Sequence, residues 1–489
     1  MALVNADSQC IVQAMLPLRS LRIAVCLLIL ATGCRVLARA FTVMVYNVEN
    51  LFDDDGIAAY DDYQPSNYTA AHFKTKLENI ARVVGAMEEG RGPDIILFQE
   101  IEVDQTPDRV EPAEKRLLEA LESHGMKGYM VVAGSDSASQ RYEDGNPRAV
   151  KCVIFTRFPV KTVRNHPTLN ARNILEVELD VDGFPLHVFD NHWKSGASDP
   201  VTEKIRIANA RTLRTRVDEI LRADPHADII LGGDFNSQYN QSRVMRERMP
   251  VTGLNSVLGS QGNELAIRGK TRDLYNLWFE LPSEERGSDT YRGDWGTLIQ
   301  IIISRGLYDY KGVQYVDNSF GVLRLKGINA TPEGTPLRWT NDGPAGAGCS
   351  DHFPVYAHFR TVSDNRPDKW MTLNRPSPSN DSPAHPPKAP ERAYDLAAAV
   401  KLSDVADVTA LRSGKYDGRL AWVEARVGEG HRLNVLLRGE TWDVWVPEPA
   451  LREKIRARWR EGEKVSFYGV LGRFKGVWQF TIQRAEWVP

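Results

Sequence analysis

Apolar positions repeat one arrangement twice along this chain. In "FKTKLENIARVVGAM", Phe73, Leu77, Ile80, Val84 and Met87 fall three to four residues apart, which predicts an amphipathic helix. A Gly-Pro break follows, and the run "DIILFQE" reads as a buried strand. Further on, the helix-like "PVTEKIRIANARTLRTRVDEILRA" leads through a polar turn into a second such run, "DIILGGDFN". "FTVMVYNVEN" and "FPLHVFDNHW" read as two more strands. Each of the four ends on a polar side chain: Asn47, Glu100, His192 and Asp234. Buried strands alternating with helices predict a layered α/β fold, and polar groups gathered at strand ends mark where its site lies.

From Thr361 to Glu391 the pattern stops. "NRPSPSNDSPAHPPKAPE" places six prolines between Pro376 and Pro390 and offers almost nothing to bury, so it reads as an extended linker. Beyond it, "GRLAWVEARVG", "HRLNVLLRG" and "TWDVWVP" read as strands, "EPALREKIRARWREG" as a helix, and "EKVSFYGVLG" and "KGVWQFTIQRAEWV" as two more strands. That order fits a five-stranded OB-like barrel. The expected division is an N-terminal segment 1–40, an α/β domain 41–360, a linker 361–391 and a barrel domain 392–489. A chain of 489 residues is also too long for one core.

Composition adds three points. Hydrophobic content of 42%, charged content of 26% and a mean hydropathy of -0.37 are globular values and argue against a polytopic membrane protein. Net charge is -3, but residues 392–489 hold 17 Lys+Arg against 13 Asp+Glu, and six of the 11 Trp. Trp442, Trp445, Phe474, Lys475 and Trp478 either stack on single-stranded nucleic acid or fill a small core. At the other end, Arg19 and Arg22 precede an apolar run from Ile23 to Ala31, and Ala38-Arg39-Ala40 follows as a cleavage pattern. The segment reads as an export signal, too short for a stable membrane span. The expectation is a secreted or periplasmic protein, with a lipoprotein-type alternative ending at Cys34. Cleavage after Ala40 leaves Cys152 and Cys349, which permit one disulfide at most.

Phosphate-ester hydrolysis needs a divalent cation against the phosphoryl oxygens, a base for water, and donors for developing charge. Mg²⁺ takes oxygen ligands and keeps several waters, so one or two carboxylates suffice; Mn²⁺ or Ca²⁺ are alternatives. Glu100 is the best metal ligand, with Asn47 and Asp351 as companions. Asp234 and Asn236 suit a water-orienting role, and His192 and His352 suit positions flanking a phosphate. "VYNVENLFD", "LFQE", "NHWKS", "LGGDFN" and "SDHFPV" occur in the order seen in the endonuclease/exonuclease/phosphatase superfamily, and residues 41–360 resemble it. The resemblance implies a two-sheet, four-layer α/β sandwich of the deoxyribonuclease I type and Mg²⁺-dependent phosphoester hydrolysis. By position, Asn47, Glu100 and Asp351 resemble metal-side residues. His192 and His352 resemble the catalytic histidines, and Asp234 and Asn236 the water-activating and phosphate-contacting pair. Arg172 and Lys194 are candidates for substrate phosphate. Asp53, Asp54 and Asp55 read as a solvated loop, and Arg148 as either substrate-facing or a strand-edge charge.

One departure stands out. Similar proteins carry an acid on the strand before the last motif, where it orients the final histidine. Here that segment is "WGTLIQIIIS", with Ile299 at the position and Gln300 alternating to the other face. Three functions follow as expectations: a secreted Mg²⁺-dependent nuclease, a phosphoesterase acting on lipid or small molecules, or an activity-impaired protein that binds nucleic acid.

Overall fold

The computed structural model describes residues 39–362 and 394–489, apart from 107–109, 144, 263–271, 292, 406, 413–415, 417, 431 and 475–476. The export segment before residue 39 and nearly all of the Pro-rich linker lie outside the described residues.

In chain order the first half comprises β1 (Ala40–Leu51), α1 (Ala70–Val84), β2 (Ile95–Glu102), α2 (Ala113–Ser123), β3 (Met130–Ala133) and β4 (Val150–Thr156). Next come β5 (Val160–His166), β6 (Ile174–Val181), β7 (Phe184–His192), α3 (Pro200–Ala223) and β8 (Asp228–Asp234). Short strands follow: β9 (Ser260–Gln261), β10 (Leu274–Asn276), β11 (Asp289–Tyr291) and β12 (Asp294–Gly296). The domain closes with β13 (Ile299–Ile303), β14 (Gly312–Tyr315), β15 (Gly321–Val322) and β16 (Val355–Val362). One seven-stranded sheet has the order β14-β16-β1-β2-β4-β3, with β15 beside β16, and the other runs β5-β6-β7-β8-β13-β10-β9. The helix-linked pairs β1/β2 and β7/β8 are parallel, so each pair delivers two carboxyl ends to the same edge.

Alternation along these strands builds three apolar layers. Val43, Val45, Ile95 and Leu97 from one sheet meet Val188, Ile230, Ile299 and Ile301 from the other. Met44, Tyr46, Ile96 and Phe98 face the opposite way, against Phe73, Leu77 and Ile80 of α1 and Leu117 of α2. Phe189, Ile229 and Leu231 pack on Leu213 and Val217 of α3. The result is the four-layer α/β sandwich expected. Each such side chain, fully buried, contributes about 1.5–3 kcal/mol of transfer free energy.

The two Asp-Ile-Ile-Leu copies differ in phase. Ile95 faces the inter-sheet core, whereas Ile229 faces α3. The acids three residues past each Leu therefore reach the same edge by different backbones. Asp234 arrives by plain alternation, while Glu100 sits in an irregularity of pairing between Phe98 and Ile101, at φ 66°. Such a bulge re-aims a side chain that alternation would send to the helix side. The Gly-Gly of "LGGDFN" has its own cause. A Cβ on Gly232 would lie 2.7 Å from Leu97 of the facing sheet, and one on Gly233 would lie 2.1 Å from the Asn191 carbonyl oxygen.

The C-terminal residues form a separate core. β17 (Val400–Lys401), β18 (Leu420–Val427), β19 (Asn434–Leu437) and β20 (Glu440–Trp445) precede α4 (Pro449–Arg458), then β21 (Lys464–Phe474) and β22 (Val477–Thr481). Strand order β18-β19-β20-β22-β21 closes through the β18–β21 pairing into a five-stranded barrel, with β17 added alongside β18. Trp442 is 1% exposed and belongs to the barrel core, so it is no stacking platform; Trp445 is 43% exposed, with the Arg452 guanidinium over its ring.

Gly233 at φ 135° has no room for any side chain. Gly233→Ala should lower unfolding free energy by about 1–3 kcal/mol through strain against β7. Urea denaturation checks this, and an unchanged midpoint would contradict the close strand approach.

Candidate active site

Three side chains from other parts of the chain meet at one carboxylate oxygen of Asp234. Oδ2 of Asp234 accepts a hydrogen bond from Asn47 Nδ2 at 3.1 Å, and the same amide donates to Glu100 Oε1 at 3.1 Å. Nε2 of His192 lies 3.8 Å from that Asp234 oxygen and 3.6 Å from Glu100 Oε1. Nε2 of His352 lies 3.8 Å from the same Oδ2 and 3.7 Å from Asp351 Oδ1. The other Asp234 oxygen accepts from the Asn236 backbone N–H at 2.9 Å, and the Asn236 amide donates to the Trp193 carbonyl at 3.1 Å. Asn236 thus braces both Asp234 and the segment following His192. Ser350 donates to the Asn47 carbonyl at 2.7 Å and accepts from the His352 N–H at 3.1 Å, which ties the "SDHF" segment to β1.

The two histidines sit in opposed fields. Burial, with the Arg172 and His352 charges, holds His192 well below the ordinary imidazole range. Burial also works against the charge on His352, but Asp351, Asp234, Asp289 and Glu100 outweigh it and raise its pKa to about 9. Glu100 is raised by burial and by Asp351, despite Arg172 and Asn47. A buried carboxyl that resists losing its proton beside a second acid is what a hard divalent cation would relieve. Asn47 and Glu100 are in hydrogen-bond contact and Asp351 raises Glu100, so the edge carries oxygen donors of the type such an ion takes.

Asn47, Glu100, His192, Asp234, Asn236, Asp351 and His352 are joined by these contacts. Arg172 is half-buried near Tyr142, Tyr60, Glu100 and Asp234, which outweigh burial and raise its pKa; its Nε is buried without a hydrogen-bond partner. The Lys194 ammonium lies 5.9 Å from the Tyr142 ring. Arg148 has a structural task, donating to Asp136 at 2.8 Å, Asn173 at 2.9 Å and the Thr168 carbonyl at 3.1 Å. Cys152 and Cys349 are both free and buried.

Three residues went unnoticed in the sequence. Glu49 is buried beside Asp351 and accepts from Arg338 Nε and from the Trp339 N–H, the latter at 2.9 Å. Arg338 also lies 3.6 Å from Asp351, so one guanidinium spans both acids. Asp289, on the β11–β12 hairpin, is paired by a backbone bridge with His352. It left no mark in the sequence beyond an acid in "SDTYRGDWG", five residues before a second one. Ile299 is fully buried in the inter-sheet core, opposite Asp234 in the β8/β13 register.

The acidic loop corrects an expectation. Asp53 is only 5% exposed, and Asp53, Asp55 and Asp104 are the one trio of carboxylates among the described residues whose oxygens lie within 4.8 Å of one another. Glu102 Oε2 accepts from the Asp53 N–H at 2.8 Å.

Residues 42–361 match the profile of the Endonuclease/Exonuclease/phosphatase family. The chain belongs to that family. No curated protein matches the sequence. Solved structures to which the chain is similar include truncated TDP2 from Caenorhabditis elegans, at 16% identity over 65% of this chain and 97% of that one, TM-score 0.38. A family protein from Bacteroides thetaiotaomicron aligns at 14% identity over 69% and 99%, TM-score 0.41. A mannosyl-6-phosphatase from the same organism aligns at 16% identity over 65% and 99%, TM-score 0.39. Members of the endonuclease/exonuclease/phosphatase family hydrolyse phosphoester bonds and generally use divalent metal ions. No helix among the described residues is long and apolar enough to cross a membrane.

Burial, reinforced by Asp53, pushes the Glu102 carboxyl up to about 10, and burial pushes Asp53 to about 7. The folded state therefore holds protons that the unfolded chain releases above about pH 4.5, so stability falls as pH rises toward 10. Glu102→Gln should flatten that decline between pH 6 and 9, by up to about 1.4 kcal/mol per pH unit, and stabilise the protein at pH 9. Urea midpoints across this range test it, and parallel profiles for the two proteins would refute it.

Proposed function

We propose that this chain is a divalent-cation-dependent phosphodiesterase that acts on nucleic acid outside the cytoplasm. The observation that carries the reading is the convergence of two imidazole Nε2 atoms, 3.8 Å each, on one oxygen of Asp234. Export is supported by the apolar run and Ala-Arg-Ala pattern ahead of β1.

Asn47, Glu100 and Asp351 would hold the cation, Mg²⁺ by preference, with Mn²⁺ or Ca²⁺ as substitutes. When bound, the ion neutralises phosphoryl oxygen charge. The remaining work falls to side chains. The Asp234 carboxylate accepts a proton from the attacking water and is kept in place by Asn47 and the Asn236 N–H. His352, held protonated by its acidic neighbours, donates to a phosphoryl oxygen as charge develops there. His192, held neutral, offers a lone pair or a neutral N–H on the opposite side without adding a second positive charge. Separated protonation preferences of this kind are how one site holds both acid and base at one pH. Arg172 and Lys194 supply charge for the flanking phosphate, and Tyr60 and Tyr142, next to Arg172, supply ring faces suited to bases.

Residues 41–489 incubated with Mg²⁺ should cleave plasmid, single-stranded DNA or RNA, and chelation should stop it. His192→Ala and Asp234→Asn should each lower the rate by roughly 10²–10⁴-fold. Turnover of sphingomyelin or a small phosphomonoester without any nucleic-acid cleavage would overturn the substrate assignment. DNA retardation with no hydrolysis would overturn the enzymatic one.

A further inference from the structure

In the sequence, the acid that should orient the last histidine is missing, and the place it should occupy holds Ile299. The structure closes the obvious routes to rescue. Ile299 packs between the sheets and is fully buried. Gln300 points to the other face, where it accepts from Asn276 at 2.6 Å and donates to the Ser237 carbonyl at 2.6 Å. Neither can serve His352.

We propose that Asp289 takes over the task, orienting the His352 ring from the β11–β12 hairpin; the proposal rests on the hydrolytic reading above. Asp289 and His352 pair across an antiparallel backbone bridge, and the Phe353 N–H donates to the Ser288 carbonyl at 2.6 Å. Residues opposed in this way have Cβ atoms about 4.5–5.5 Å apart, within reach of a carboxylate and an imidazole. Asp289 is buried, and its Oδ1 is fixed by Ser288 Oγ at 3.0 Å and the Leu298 N–H at 3.2 Å. Its Oδ2 lies over Gly296, where any Cβ would stand 2.1 Å away, so a glycine makes room for the carboxylate. On the other side of the pair, Nδ1 of His352 is buried with no hydrogen-bond partner, while Nε2 faces Asp234 and Asp351. A donor without an acceptor thus sits beside an acid with an oxygen to spare. No ion pair or hydrogen bond joins the two side chains in the structure; hydrogen bonds in catalytic sites tighten when substrate binds, and rotation of these side chains would then join Oδ2 to Nδ1–H. That bond fixes the orientation of the charged ring and leaves the Nε2–H presented to the phosphate. Asp289 touches no substrate; it is a positioning residue.

Asp289→Asn keeps an oxygen for Ser288 and Leu298 and so separates orientation from folding. Steady-state kinetics with Mg²⁺ and single-stranded DNA should show kcat lowered roughly 10²–10⁴-fold with little change in KM. Adding Ile299→Asp to that variant should recover about tenfold or more, because the acid returns from the neighbouring strand. A second measurement needs neither metal nor turnover: ¹⁵N spectra of histidine-labelled protein, with His352 assigned through His352→Gln. The wild type should show a protonated, hydrogen-bonded Nδ1 on His352 that Asp289→Asn loses. Wild-type kcat in Asp289→Asn, or an unchanged His352 Nδ1 signal, would overturn the proposal. If the parent protein hydrolyses no phosphoester, the hydrolytic reading fails by itself, and the spectra alone decide Asp289.

Discussion

Everything at this site depends on how closely β8 approaches its neighbours. Gly232 lets Val45 and Leu97 of the facing sheet come against β8, and Gly233 lets β7 do so. Only then does Asp234 reach the Asn47 amide at 3.1 Å across the gap between sheets. Asn47 in turn holds Glu100. A side chain at either glycine would hold the two halves apart and with them Glu100 and the histidines. The core below, dense with Ile and Val, is the rigid support that makes this spacing reproducible.

Close approach has an electrostatic consequence. Glu49, Glu100, Asp234, Asp289 and Asp351 are packed around one edge, and burial strengthens their mutual repulsion. The fold offsets it with Arg338 across Glu49 and Asp351, with buried Lys76 donating to the Glu49 carbonyl, and with a charged His352. His192, facing Arg172 and that charged ring, goes the other way. Two chemically identical side chains thereby acquire different protonation, and the difference follows from which neighbours each strand end meets. Such an arrangement is stable only as a set: removing one acid changes the charge balance on every other member.

The parts legible in the sequence were those obeying alternation. Asn47 closes the regular part of β1, before a pairing irregularity that runs to Leu51, and His192 and Asp234 end β7 and β8, so a period of two placed them. The barrel's strand-and-helix order was readable for the same reason. Glu100 carried the right chemistry but an unreadable backbone, since the bulge that turns it inward has no mark beyond the acid itself. Asp289 and Arg338 were invisible for a different reason. Arg338 meets Glu49 across 289 positions, and Asp289 sits on a three-residue strand with no apolar period. Such contacts are set by tertiary closure. Trp442 illustrates the limit from the other side: an aromatic alternating with charges fits a stacking platform and a barrel core equally well. Asp53 shows it too, for three consecutive acids read as solvated while one of them is buried beside Asp104.

Two acidic places in the same domain offer oxygen ligands: the Asn47, Glu100 and Asp351 edge, and the Asp53, Asp55 and Asp104 cluster. Only the first lies with the histidines, and the account stands on its being the metal site that matters. Crystals soaked in Mn²⁺ and measured for anomalous scattering address this directly. The account predicts a manganese peak within bonding distance of Glu100 at the strand ends. Density at the Asp53 cluster alone, with none beside Glu100, would contradict it.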